Sequence, residues 1–169
     1  MKQIWAPWRM AYVHGEKEQG CIFCDKISGH DPRTELVLAQ TAHSVVMLNK
    51  YPYNNGHLLL APKRHTHQLP ALPPEEYNDL CQAFRGALAR LSEALNPQGV
   101  NAGMNLGKCA GAGVEDHLHW HLVPRWEGDT NFMPVIGEVR VMPQHLMDSY
   151  DRLEPFFRDF PAGENNVGY

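Results

Sequence analysis

The sequence predicts an α+β fold: an antiparallel sheet of about five strands with a long central helix and a C-terminal helix on one side. Three observations lead there. Short apolar runs bounded by turn formers occur on both sides of one long stretch with helical periodicity. The connections between neighbouring runs are short, which favours antiparallel pairing. A second amphipathic stretch follows the last run.

The elements follow in order. Residues 1–20 mix Trp, Pro, Arg and Gly without a sustained period and read as an irregular arm, with Trp5 and Trp8 packing on the domain or on a partner subunit. Residues 35–39 and 43–49 read as two strands joined by a short turn, and residues 57–62 as a third, ended by Pro62. Between the second and third lies Lys50-Tyr51-Pro52-Tyr53-Asn54-Asn55-Gly56, dense in turn formers. Pro73-Pro74-Glu75-Glu76 opens a helix, with acids in the first turn where the dipole favours them. Leu80, Phe84, Ala87, Leu88, Leu91 and Leu95 continue it, and Pro97 closes it; Cys81 and Phe84 are expected in the core. Residues 99–105 form a strand, and residues 143–157 a C-terminal helix with Leu146, Met147, Tyr150, Leu153 and Phe157 on its apolar face. The domain is expected over residues 21–158, followed by a loose tail over 159–169.

Composition limits the function. A chain of 169 residues with 43% hydrophobic content can bury a core as one domain. Its net charge of −4 argues against a broad nucleic-acid footprint, although a small anionic substrate can be held locally by backbone amides and by His, Lys and Arg. No apolar run reaches membrane-spanning length, and the first residues lack the apolar core of a secretory signal, so a cytoplasmic location is expected. Four cysteines do not suggest a disulfide scaffold.

The fifth strand is the chemically distinctive one. In His117-Leu118-His119-Trp120-His121-Leu122-Val123, imidazole and apolar side chains alternate with period two. Leu118, Trp120 and Leu122 face the core, and three groups that titrate near neutrality line the other face. Any polar residue would serve a solvated face, so three histidines indicate a need for imidazole, as metal ligand or as nucleophile. The preceding Gly107-Lys108-Cys109-Ala110-Gly111-Ala112-Gly113 exposes backbone amides of the kind that cradle phosphate; Cys109 within it reads as an incidental small residue. Cys21-Ile22-Phe23-Cys24 reads as half a zinc site or as a redox pair. The redox reading wants the motif to open a helix after a strand. Here it follows an irregular arm and precedes the turn cluster Ser28-Gly29-His30-Asp31-Pro32, so metal is favoured and two more ligands are required.

Taken together, these residues resemble the histidine triad family of nucleotide hydrolases and transferases, whose signature is His-φ-His-φ-His-φ-φ with φ apolar. Leu48-Asn49-Lys50-Tyr51-Pro52, Asn55-Gly56-His57-Leu58 and Pro62-Lys63-Arg64-His65 resemble the family's upstream segment in order and spacing. The C-x-x-C pair resembles the opening of its bacterial zinc-containing members. Val123-Pro124-Arg125-Trp126, Gly128-Asp129 and Asn131-Phe132, with the Tyr51-Pro52-Tyr53-Asn54 loop and the Trp5 to Arg9 arm, are most similar to the diadenosine tetraphosphate phosphorylase-like branch. The resemblance spans roughly residues 5–150.

The resemblance implies roles for particular positions. His119 would be the nucleophile that attacks the α-phosphorus and forms a nucleotidyl-histidine intermediate. His121 would contact phosphate oxygens and the leaving group, His57 would support the triad, and Asn49 would hold the ribose. Cys21, Cys24, His65 and His117 would bind a structural zinc in a closed shell, with His67 and His43 as competing ligands; no organic cofactor is implied. Where many members have Gly-Gln-Ser/Thr-Val, this chain has Gly111-Ala112-Gly113-Val114, so phosphate binding would rest on backbone amides at Gly111 and Gly113 and on Asn105. The implied substrate is a dinucleoside polyphosphate such as diadenosine tetraphosphate, with phosphorolysis favoured over hydrolysis. A phosphoramidate or adenylate-ester hydrolase is the second reading, and a zinc-stapled nucleotide-binding scaffold the third. The implied partners are the nucleotide and a second copy of the chain, with neither nucleic-acid polymer nor membrane.

Overall fold

The computed structural model describes residues 20–129 and 144–160. The expected arm with Trp5 and Trp8, the loop residues Asn131 and Phe132, the start of the C-terminal helix at 143 and residues 161–169 of the tail lie outside the described residues. Five strands, β1 (Val37–Gln40), β2 (Ser44–Leu48), β3 (Leu58–Pro62), β4 (Gly99–Met104) and β5 (Trp120–Arg125), form one sheet in the order β1-β2-β3-β5-β4. Every pairing is antiparallel, as the short connections predict. The helices described are α1 (Ile22–Ser28), α2 (Pro32–Glu35), α3 (Pro74–Leu95) and α4 (Leu146–Phe157). None is long and apolar enough to cross a membrane.

Strand alternation sorts side chains to two faces. Leu38, Val46, Leu48, Leu58, Leu60 and Leu122 meet Leu80, Ala83, Ala87 and Leu91 of α3 and Leu153 and Phe157 of α4. Val37, Val45, Met47, Leu59 and Ala61 turn the other way and pack on Phe23 of α1. With β2 and β3 covered on both sides, their sequences read as nearly continuous apolar runs. Burying each such leucine contributes about 1.5–3 kcal/mol.

Helix α3 begins at Pro74, carries Glu75 and Glu76 in its first turn, and stops where Asn96 adopts the left-handed conformation just before Pro97. Cys81 is exposed, contrary to the expectation of a core position. Leu80, Ala83, Ala87, Leu91 and Ala94 form the buried stripe, and residue 81 is rotated about 100° from Leu80 around the helix.

Two local elements also differ from expectation. The C-x-x-C motif, to which the sequence assigns no element, opens a seven-residue helix with Cys21 at its N-cap. The histidine strand starts only at Trp120, so His117 and His119 precede its paired part. The ladder pairs Leu60 with Trp120, and two positions further on the same register would oppose Pro62 to Leu118. Proline has no N–H to donate, so pairing ends there. The Leu118 N–H bonds instead to the Thr66 carbonyl at 2.7 Å.

Candidate active site and metal site

Although pairing stops at Trp120, the alternation continues through the unpaired residues. Leu118 is buried in the helix-side core, while the three histidine rings share the opposite face with Phe23. Exposure rises along the row: His117 is 0% exposed, His119 5%, and His121 is half-buried. His57, directly before β3, adds a fourth ring on this face with its centroid 5.2 Å from that of His121. The His119 and His121 rings meet edge to face at 4.9 Å. A shallow cavity of about 410 Å³ bordered by Leu48, Pro52, Gly56, His145 and Leu146 belongs to the helix side of the sheet, not to this row.

Hydrogen-bond partners assign a tautomer to each ring. The His117 Nε2–H donates to the Pro62 carbonyl at 2.8 Å, leaving the Nδ1 lone pair directed toward the cysteines. The His119 Nδ1–H donates to the His117 carbonyl at 2.9 Å, leaving the lone pair on Nε2. At His57 the Tyr53 N–H donates to Nδ1 at 3.0 Å, and the Asn49 Nδ2 donates to the same atom at 3.2 Å. The His57 proton therefore sits on Nε2, which donates to His121 Nδ1 at 3.0 Å. By the same logic His121 carries its proton on Nε2. One ring thus offers a lone pair and its neighbour an N–H.

Burial disfavours the charged form of the three rings of the row. It lowers the pKa of His117, with smaller contributions from the charges of His65 and His119, and it lowers that of His119 as well. His121 is pushed down to about 4 by burial and then by His119. At neutral pH the Nε2 lone pair of His119 is therefore not blocked by a proton.

The four residues expected to bind metal converge. Their ligand atoms all lie within 4.8 Å of one another. His117 Nδ1 is 3.2 Å from Cys21 Sγ and 3.7 Å from Cys24 Sγ, and His65 Nδ1 is 3.5 Å from Cys24 Sγ. Tetrahedral zinc with ordinary Zn–S and Zn–N bonds separates its ligand atoms by about 3.3–3.8 Å, so the donor set fits the ion. Burial pushes the Cys24 thiol up, and the adjacent Cys21 adds to this. A divalent cation relieves that cost, because two crowded thiols ionise readily only around positive charge. His67 is outside this group and bonds to Gln68.

Asn49, expected to hold the ribose, directs its side chain into the loop: Oδ1 accepts the Tyr51 N–H at 2.9 Å, and Nδ2 reaches His57. Asn105 Nδ2 donates to the Gly111 carbonyl at 3.4 Å. Gly107 and Gly111 adopt φ values of 85° and 90°, which let the loop turn sharply, and the Gly111 N–H donates to the Lys108 carbonyl at 3.0 Å. Gly113 follows in a bend. Asp129 ties β5 to the loop before His57, accepting from the Arg125 guanidinium at 2.6 and 2.8 Å and from Asn54 Nδ2 at 2.8 Å.

Sequence reasoning missed two aromatic residues of the site. Tyr53 stacks within 4.6 Å of His57 and 5.7 Å of His121, centroid to centroid. Phe23 packs against both His117 and His119. Phe23 had a signal in its place between the two cysteines, and Tyr53 in the Tyr51-Pro52-Tyr53-Asn54 loop that resembles the phosphorylase-like branch, but neither signal assigned the ring a contact.

The chain is similar to known proteins along most of its length. The HIT domain model matches residues 32–128, more than half of the chain. An AP-4-A phosphorylase from Mycobacterium tuberculosis is 36% identical over 158 residues, covering 88% of this chain and 80% of that protein. An adenosine 5′-monophosphoramidase from Schizosaccharomyces pombe is 32% identical, covering 62% of this chain and 74% of that protein. Among solved structures, a Zn-bound histidine triad family protein from Mycobacterium smegmatis superposes with a TM-score of 0.61 at 29% identity, over 84% of this chain and 96% of that one. The fold, the imidazole row and these matches lead to one assignment: the chain belongs to the HIT domain family of nucleotide-processing proteins.

Proposed function

We propose that the protein cleaves a dinucleoside polyphosphate, diadenosine tetraphosphate foremost, at the α-phosphate through a covalent intermediate on His119. The observation that carries this reading is the 2.9 Å bond from His119 Nδ1 to the His117 carbonyl, which leaves the Nε2 lone pair of a neutral ring. Nε2 attacks the α-phosphorus, the bond to the bridging oxygen breaks, and its electron pair leaves with the nucleoside polyphosphate. The His121 Nε2–H donates a hydrogen bond to the oxygen that gains charge. Hydrogenphosphate or water then attacks the phosphorus, gives up its proton, and returns the lone pair to Nε2.

A ring as weakly basic as His121 suits an anhydride, whose phosphate leaves as an anion and needs a hydrogen bond more than a full proton. The phosphoramidate or adenylate-ester reading is second, favoured by the similarity to the fission-yeast phosphoramidase. Phosphorolysis is preferred over hydrolysis because the longer match is to the phosphorylase. Asn49 and Asn105, with the backbone at Gly111 and Gly113, are proposed to hold the nucleotide. Zinc at Cys21, Cys24, His65 and His117 is proposed as a structural ion with a closed shell, supplying no reacting atom. A cytoplasmic homodimer is proposed as the working form: reduced thiols persist there, and β4 forms one edge of the sheet.

Purified protein given diadenosine tetraphosphate with phosphate should yield ADP and ATP. AMP and ATP would mark hydrolysis instead. His119→Ala should lower turnover by about 10³-fold or more, because it removes the covalent route. A variant that keeps its turnover overturns the mechanism, and a wild-type chain that binds nucleotide without converting any of these substrates supports the scaffold reading.

A further inference from the structure

The motif expected to supply half of a metal site also supplies a wall of the imidazole row. Phe23 lies between Cys21 and Cys24, is 0% exposed, and has its ring centroid 4.9 Å from those of both His117 and His119. Its plane is tilted by 42° to the first ring and 36° to the second, so one aromatic ring spans the gap between a candidate metal ligand and the candidate nucleophile. We propose that Phe23 is a positioning residue that couples metal binding at the C-x-x-C helix to the orientation of His119. This rests on reading His119 as the nucleophile.

The physical basis is constraint. The bond from His119 Nδ1 to the His117 carbonyl holds one atom of the ring, but the ring plane is set by what packs on it. Phe23 packs on it, and the edge of His121 meets it at 4.9 Å. Phe23 in turn sits on α1, a helix of seven residues. Helices shorter than about 12 residues are marginal without tertiary anchors. Two anchors hold α1 against the sheet: Phe23, packed with Val37, Val45, Met47, Leu59 and Ala61, and the two cysteines gathered with His65 and His117. A metal ion that draws Cys21 and Cys24 toward His117 presses the intervening Phe23 ring onto His119. Loss of the ion releases α1 and lets the imidazole turn. A misplacement of about 1 Å at a reacting atom costs up to about 100-fold in rate. The metal thereby governs alignment of the nucleophile while touching neither substrate nor His119.

The test compares zinc-loaded full-length wild type with Phe23→Leu, which keeps an apolar side chain but removes the flat ring. Metal per chain, circular dichroism, long-range imidazole ¹H–¹⁵N spectra of His119, and kcat and KM are measured on both. Phe23→Leu should keep wild-type metal content and fold, while His119 loses its single Nδ1–H tautomer pattern. Its kcat should fall about tenfold with KM little changed. Chelating zinc from the wild type should produce the same change in the His119 spectrum. A normal His119 spectrum and kcat in the zinc-loaded Phe23→Leu protein would overturn the coupling, as would a His119 spectrum indifferent to chelation. Should Phe23→Leu lose its metal or its fold, Phe23→Met, with an unbranched chain filling the space, takes its place under the same criteria. If the wild type turns over no nucleotide, the proposed function fails while the spectra still decide the coupling.

Discussion

An unfolded-chain imidazole titrates near 6.5, whereas burial and the charge of His119 hold His121 at about 4 in the folded protein. Between those values the unfolded chain binds more protons, so stability rises with pH. The contribution of the neutral ring is complete above 6.5 and is lost as pH falls toward 4. Urea midpoints should therefore drop between about pH 7 and about pH 5, and His121→Gln should flatten part of that drop. The lowered pKa values of His117 and His119 act in the same direction and leave a residual slope. Equal wild-type midpoints would show that the rings are not held neutral. Gly56 provides a second residue-scale prediction. It has φ of 76°, and a Cβ there would clash with the Leu95 side chain. Gly56→Ala should cost about 1–3 kcal/mol, read as a fall in Tm, and should disturb the adjacent His57. The imidazoles were legible from the chain because their identity and spacing are local facts. Their tautomers were not, since the Pro62 carbonyl that orients His117 lies 55 residues away.

At the scale of elements, the ends of α3 and the strand count were readable because apolar periodicity and proline punctuation act over a few residues. Helix α4, by contrast, begins at Leu146, later than the expected 143. What escaped was the partial strand: the alternation at 117–123 is continuous, but ladder pairing requires a partner N–H that Pro62 lacks. The C-x-x-C helix escaped too, because seven residues carry too little periodicity to announce a helix. The loop before His57 is held from a distance by Asp129, which also accepts the Trp126 N–H at 3.1 Å. Asp129→Ala should loosen that loop and weaken the Tyr53 N–H bond that orients His57. The expected result is a fall of about tenfold in kcat with metal content unchanged. Wild-type kinetics in this variant would show that the loop is positioned without Asp129.

Across the whole molecule, the four metal donors come from three separate segments, with Cys21 and His117 96 residues apart. An ion that binds this gathered set and not the unfolded chain adds about 4 kcal/mol at a thousandfold excess over its Kd. Chelation should accordingly lower Tm by several degrees, and Cys24→Ser should lower the starting Tm and shrink the response. A Tm indifferent to chelator would remove the staple from the account of this fold. The amino-acid sequence by itself determined the chemistry available: alternating imidazoles, a pair of thiols three apart, glycine-rich turns and amphipathic periods, all set by neighbours along the chain. Only the tertiary structure decided which imidazole offers a lone pair and which an N–H, how closely the four expected donors gather, and that Phe23 touches the central histidine. Those outcomes depend on carbonyls, rings and thiols brought together from distant segments, and close approach in space leaves no periodic trace in the order of residues.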